Sequence, residues 1–281
     1  MNPLTKTRRR MTMILATFSL KEMPFQKNVP TKQIFYNDQY REMKSRLLFL
    51  AENMGIGLFT GEVGSGKSTM LRTAAEELNP QLYKKVYLHK GIEKLSTFYL
   101  QLAHGLGIQP KYRQAEVTQQ VTAALAELHN TQKIKTVLII DEAHLLKAEI
   151  LDEIRLIHNA EMDSQDYLAT AIVGQPPLTK MMAYMKFLPL AQRITVSYHL
   201  APLSREDAYN YFEHHLKIAG APSAKKIFKD NAIETIINAA KGIPRMINNI
   251  ALKAMYAADQ SKMTTVDQEC VLAALAEIGL K

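Results

Sequence analysis

The sequence predicts an α/β fold: a parallel sheet flanked by helices, followed by a C-terminal all-α part. Three observations predict it. Short apolar runs alternate with helical periodicity between residues 37 and 200. A glycine-rich loop, Gly61-Glu62-Val63-Gly64-Ser65-Gly66-Lys67-Ser68-Thr69, joins a strand pattern to a helix pattern. After Leu200 the strand patterns stop and only helical ones follow.

Taken in order, residues 1–12 read as a disordered basic arm, and Phe18 to Phe25 as a compact apolar segment containing Pro24. A helix is expected over Asn37–Asn53, with Tyr40, Met43, Leu47, Leu48 and Leu50 as its apolar stripe. Gly55–Thr60 is the first strand. The helix after the glycine loop runs from Ser68 to Leu78, with Met70, Leu71, Ala74, Ala75 and Leu78 at helical spacing. Lys85–Leu88 is the second strand. Leu95–Leu106 is a helix ended by Gly105 and Gly107. Gln109-Pro110-Lys111-Tyr112-Arg113 is a basic connector, and Val117–Leu128 a further helix. Ile134–Ile140 is a strand buried on both faces, since its end is uniformly apolar. A helix over Ala148–Ala160 and strands over Leu168–Val173 and Ile194–Leu200 complete the core. Ser204-Arg205-Glu206-Asp207 is a capping box that opens a helix to about Ala219. Helices over Asn231–Ala240, Pro244–Asp259 and Thr265–Ile278 follow. The expected organisation is an arm over 1–15, a nucleotide-binding core over 16–201 and a helical lid over 202–281.

The glycine loop is a phosphate cradle. Its glycines let successive backbone N–H groups turn toward one anion, and the following helix N-terminus adds partial positive charge. Lys67 is expected to reach the β- and γ-phosphates of ATP, and the Ser68 hydroxyl to ligate Mg²⁺. Hydrolysis further needs a carboxylate that positions the metal and a group that orients water. The apolar strand ending in Asp141-Glu142 supplies both: Asp141 for the hydration shell of Mg²⁺, Glu142 to polarise the attacking water. Asp141-Glu142-Ala143-His144 also spells a helicase box, but such helicases need two tandem nucleotide-binding cores and the chain has motifs for one. Gln175, after the strand over 168–173, falls near the γ-phosphate if that strand adjoins the first. Arg193 precedes the last strand of the core. Arg245 lies in Gly242-Ile243-Pro244-Arg245, projecting from the first turn of a helix.

Composition bounds the setting. The chain has 281 residues, 47% hydrophobic and 22% charged. No apolar run approaches the roughly 20 residues of a membrane span, and no signal peptide is evident. The single cysteine, Cys270, excludes an intrachain disulfide and falls in an apolar helical pattern, as a buried thiol would. The expected location is cytoplasmic. Net charge is +8, of which residues 1–50 carry +7, from ten Lys and Arg against three Asp and Glu. Such a basic segment suits a polyanion, most simply nucleic acid.

These motifs together resemble an AAA+ ATPase: a Walker A loop, a Walker B strand ending in Asp-Glu, a polar residue after the fourth strand, and Gly-Ile-Pro-Arg in a helical lid. Phe18 to Phe25, Thr60 to Lys67, Ile172-Val173-Gly174-Gln175-Pro176 and Leu190-Ala191-Gln192-Arg193-Ile194 resemble the ExeA-type branch. That branch includes a type II secretion ATPase and includes or borders the transposition regulators TniB, TnsC and phage Mu B. The resemblance covers about residues 16 to 278. It implies a P-loop NTPase core with a helical lid. It also implies that Gln175 is sensor 1, Arg245 sensor 2, and Arg193 the arginine finger given to a neighbouring subunit, with Arg155 and Arg205 as competitors. In the transposition proteins, DNA contacts come from segments after the second strand, which here suggests Lys90, Lys94, Lys111, Arg113 and also Thr118. The expected function is an ATP-dependent regulator of transposition. It would form a homo-oligomer, ring or helical filament, on duplex DNA without strong sequence preference, and act on a transposase without a membrane partner. A secretion accessory ATPase and a helicase-loader-like ATP switch are the alternatives.

Overall fold

The computed structural model describes residues 13–27, 29–88, 92–158 and 165–279. They form two compact units, one built from 38–62 and 67–201, the other from residues up to Asn37, Val63–Gly66 and the chain from Pro202.

The first unit is a five-stranded sheet in the order β2-β3-β4-β1-β5, every pairing parallel. The strands are β1 (Ile56–Gly61), β2 (Tyr83–Leu88), β3 (Lys135–Ile140), β4 (Leu168–Gly174) and β5 (Ile194–Leu200). The helices are α1 (Asp38–Asn53), α2 (Lys67–Glu77), α3 (Leu95–Leu106), α4 (Gln114–Asn130), α5 (Ala148–Ile157), α6 (Pro177–Met182) and α7 (Leu188–Ala191). The three central strands β3, β4 and β1 are almost wholly buried, which is why they read as mainly apolar runs. The outer strands β2 and β5 alternate buried with exposed residues, as sheet edges do. One continuous core joins Val86 and Leu88 of β2 and Leu138 and Ile140 of β3 to Phe98 and Leu102 of α3, Val121 of α4 and Ile154 of α5. Burying each such side chain contributes about 1.5–3 kcal/mol.

The observed fold is the expected one, a parallel α/β sheet flanked by helices and followed by C-terminal helices. Boundaries shift locally. α4 begins at Gln114 rather than Val117, because the carbonyl of Arg113 already accepts the N–H groups of Glu116 and Val117. The helix expected over 148–160 ends at Ile157, with His158 as its C-cap; residues 159 and 160 lie outside those described. The short helices α6 and α7 went unpredicted, since neither is long enough to show a period; each opens with a proline in its first turn.

The second unit holds α8 (Arg205–Ile218), α9 (Asp230–Ala240), α10 (Pro244–Gln260) and α11 (Gln268–Ile278). The Ser204 side chain accepts the Asp207 N–H at 3.0 Å, the first half of the expected capping box. The Asp207 carboxylate instead accepts from Asn37 Nδ2 at 3.0 Å, so the reciprocal half is replaced by a tie to the N-terminal segment. α11 starts later than expected because Asp267 caps it, accepting the Cys270 N–H. Cys270 is a buried free thiol whose pKa is raised by burial.

Residues 13–37 group with these helices, not with the sheet as the expected boundary at residue 16 had it. The physical reason is aromatic. Phe25 inserts between Phe212 (ring centroids 5.1 Å apart), His215 (5.5 Å) and Phe228 (6.4 Å). The N–H of Lys21 donates to the carbonyl of Ala219, and the Thr17 hydroxyl donates to Asp259 at 2.6 Å.

This cluster has a pH signature. Burial, with a smaller contribution from His214, lowers the pKa of His215 to about 4. The folded state therefore binds the proton more weakly than the unfolded chain, whose histidines titrate near 6.5. Stability contributed by the neutral ring is complete above pH 6.5 and is lost as pH falls toward 4, in total about 3 kcal/mol. Thermal unfolding of the wild type should show this loss across that window, and His215→Phe should flatten it. An equal slope in both proteins would place the titration elsewhere.

Candidate nucleotide site

The parallel sheet brings the carboxyl ends of β1, β4 and β3 side by side, and the predicted residues follow those ends. In register, Thr60 of β1 pairs with Gly174 of β4, and Ile172 of β4 with Ile140 of β3. Gln175 thus leaves the sheet next to the start of the glycine loop, as expected if its strand adjoins the first. Asp141 leaves from β3, one strand further out. The two strand ends are therefore about 10 Å apart across the sheet, with β4 between.

The loop itself carries the geometry of a cradle. Gly64 and Gly66 have φ of 81° and 100°, which a side chain disfavours. At Gly64 a Cβ would also meet Cβ of Arg245 at 2.7 Å. That closeness exists because the N–H of Arg245 donates to the Gly64 carbonyl at 3.2 Å. Arg245 is exposed in the first turn of α10, behind Pro244. Lys67 is buried in the first turn of α2, and its Nζ donates to the carbonyls of Gly61 and Glu62, each at 2.7 Å. Its charge is held inside the loop. Ser68 and Thr69 follow in the same turn, half-buried.

Both carboxylate oxygens of Asp141 are engaged. Oδ1 accepts the N–H of Glu142 at 2.9 Å, and Oδ2 accepts the Tyr87 hydroxyl at 2.7 Å. Burial first, and then this bond to Asp141, raises the Tyr87 pKa far above its ordinary value. The hydroxyl therefore stays a donor throughout the physiological range. Tyr87 was missed by the sequence reading, because it sits mid-pattern in an edge strand and belongs to no motif.

Glu142 has φ 55°, an unusual backbone for a non-glycine residue, at the head of a 3₁₀ turn over Ala143–Leu145. That turn points its side chain toward Gln175, whose Nε2 lies 3.4 Å from Glu142 Oε2. His144 Nδ1 lies 3.6 Å from the same oxygen and accepts the Gln175 N–H at 3.4 Å. The same ring nitrogen therefore faces both the Glu142 carboxylate and the Gln175 backbone. His144, noted in the sequence only as part of a discounted box, is thus the third member of a Glu142–His144–Gln175 cluster.

The donor set fits ATP with Mg²⁺. Hydroxyl and carboxylate oxygens, Ser68 and Asp141, suit a hard divalent cation, and the positive-φ glycines and buried ammonium suit phosphate.

Arg193 lies elsewhere. Ile56, the first residue of β1, pairs with Ile194, so Arg193 stands beside the start of β1. Gly61 is five residues along that strand, about 17 Å away by strand rise. Its competitors lie near acidic side chains. Arg155 lies 4.0 Å from Asp152, and Arg205 is ion-paired with Glu234. Of the proposed DNA contacts, Lys94, Lys111 and Arg113 are exposed, Lys94 and Arg113 at the starts of α3 and α4. Thr118 instead lines a cavity of about 200 Å³ with Tyr99, Thr122 and Glu153. Lys90 lies outside the described residues. Among the described residues, no helix is long and apolar enough to cross a membrane.

Residues 51–182 match the family model described as an AAA domain. General secretion pathway protein A of Aeromonas hydrophila is 31% identical over 252 residues, covering 86% of this chain and 44% of that protein. The chain spans less than half the length of the curated relatives it matches. Among solved structures, Cdc6p from Pyrobaculum aerophilum aligns with a TM-score of 0.70 at 18% identity, covering 90% of this chain and 70% of that one. The Aeropyrum pernix ORC1 protein, solved in complex with DNA, aligns at 0.64 and 16% identity, covering 90% and 67%. The fold is that of the AAA+ P-loop NTPases.

Proposed function

We propose that the chain is an ATPase of the ExeA-like AAA+ type whose ATP-bound form assembles on duplex DNA and regulates transposition by selecting a target and engaging a transposase. The observation that carries the ATPase part is the alignment of strand ends: the Lys67 loop on β1, Gln175 on β4 and the Asp141-Glu142 pair on β3. In this reading Lys67 holds the β- and γ-phosphates, and Arg245 is the sensor 2 arginine that the resemblance implies. Ser68 and Asp141 hold Mg²⁺, which when bound neutralises charge building on the phosphates. Tyr87 fixes the Asp141 carboxylate for that task. Glu142 accepts the proton of the attacking water, and Gln175, whose Nε2 lies 3.4 Å from Glu142 Oε2, orients that carboxylate.

The DNA part rests on the excess of +7 in residues 1–50, the exposed cations at the starts of α3 and α4, and the likeness to folds solved with DNA. Nothing in the sequence resembles a base-reading helix, so phosphate contacts dominate and binding falls with salt. A second reading is favoured by one observation, the 31% identity to a general secretion pathway protein. On that reading the ATPase serves a secretion complex and is indifferent to DNA. ATP turnover with and without random-sequence duplex separates the two. The transposition reading expects stimulation that fades as salt rises; turnover unchanged by duplex at any salt concentration would favour the secretion reading.

A further inference from the structure

The connector between α3 and α4 presents a feature that phosphate binding does not use. Tyr112 is fully exposed, more so than any other large apolar or aromatic side chain among the described residues. Its neighbours Lys111 and Arg113 are exposed too, and neither has an ion-pair partner among the described residues. From Gly107 to Ala115 there is no acidic residue.

The connector is braced. Gln120, nearly two turns into α4, accepts the Lys111 N–H at 2.9 Å and donates from Nε2 to the Gln109 carbonyl at 3.3 Å. Pro110 fixes its own φ, and the Arg113 carbonyl is tied into the first turn of α4. The backbone on both sides of Tyr112 is therefore set before any partner arrives, which lowers the entropy lost on binding. A single exposed aromatic is ordinary on a protein surface. An aromatic held out on a braced loop between two exposed cations has the chemistry of a nucleobase platform. The ring offers a face to a base, and the cations offer charge to the phosphates on either side.

We propose that Tyr112 stacks on a nucleobase while Lys111 and Arg113 hold the flanking phosphates, so that this connector touches bases as well as backbone. The inference rests on the DNA reading above. On single strands the ring takes an already unstacked base. On duplex it enters a base step as a wedge, which would bend the duplex without reading its sequence.

The chain contains no tryptophan, so Tyr112→Trp installs the only one. Its emission is titrated with a random-sequence duplex and with one strand of it, alongside anisotropy of the labelled DNA. Stacking quenches the emission in step with binding. Quenching by the single strand alone assigns the platform to unpaired bases, and quenching by both includes the wedge. In parallel, Tyr112→Ala should weaken binding about 5- to 150-fold at fixed salt while leaving the slope of log K against log salt unchanged, and Tyr112→Phe should restore it. Lys111→Ala or Arg113→Ala should instead flatten the duplex slope by about 0.9 each. Binding to DNA with unmoved tryptophan emission and a neutral Tyr112→Ala overturns the stacking role and leaves the DNA reading intact. Absence of DNA binding by the wild type, with or without ATP, overturns both.

Discussion

Glu142→Gln is expected to lower ATP turnover by about 10²–10⁴-fold while ATP binding persists. The carboxylate is the only group in the cluster that both accepts a proton and is aimed at Gln175 Nε2, 3.4 Å away. The amide keeps its size and its place at the head of the 3₁₀ turn but has no basicity. Neighbours that could substitute are poorly placed: His144 Nδ1 is engaged by the Gln175 N–H, and both oxygens of Asp141 already accept hydrogen bonds. The strained backbone at Glu142, φ 55°, is retained by the amide, so folding should change little. Single-turnover hydrolysis with radiolabelled ATP measures the step, and nucleotide retention by filtration measures binding. Turnover at the wild-type rate would remove Glu142 as the base. Loss of binding together with turnover would make its role structural.

Arg193→Ala is expected to reduce turnover by about 10³–10⁵-fold, the range an arginine supplied in trans commands in related phosphoryl transfer. The register argues that the effect must come through a second copy. Arg193 stands beside the start of β1, about 17 Å by strand rise from the end that carries the loop, beyond the reach of a side chain acting on its own phosphates. A copy lacking Lys67 but keeping Arg193 should then complement a copy lacking Arg193 but keeping Lys67, because one mixed interface holds a complete site. Activity measured across mixing ratios of Lys67→Ala and Arg193→Ala chains should rise above that of either alone. Failure to recover at every ratio, with co-assembly verified by differently tagged chains, would reject Arg193 as the finger and return attention to Arg155.

Much of this was written locally in the sequence. The glycine loop and Asp141-Glu142 are short motifs whose chemistry demands those residues at that spacing, and both stand at strand ends as their apolar approaches implied. What escaped was non-local. That β4 separates β1 from β3 depends on pairing across the chain, which no window of neighbours encodes. Residues 16–37 looked like a prelude to the sheet. Their allegiance to the helical unit follows from Phe25 meeting Phe212 and Phe228, partners far along the chain. Tyr87 carries no signature, because one tyrosine in an edge strand becomes informative only when its hydroxyl is seen on Asp141. The Gln120 brace was hidden for the same reason: its partners Gln109 and Lys111 lie across a turn.

The central claim, that ATP assembles this chain on duplex DNA, is tested most directly by sedimentation and electron microscopy of Glu142→Gln with Mg²⁺–ATP and a random-sequence duplex. The account predicts large ordered complexes on DNA that dissolve when ATP is omitted or salt is raised, because each subunit offers few cations and only an assembly sums them. Particles that remain monomeric, or complexes indifferent to nucleotide and salt alike, would contradict it.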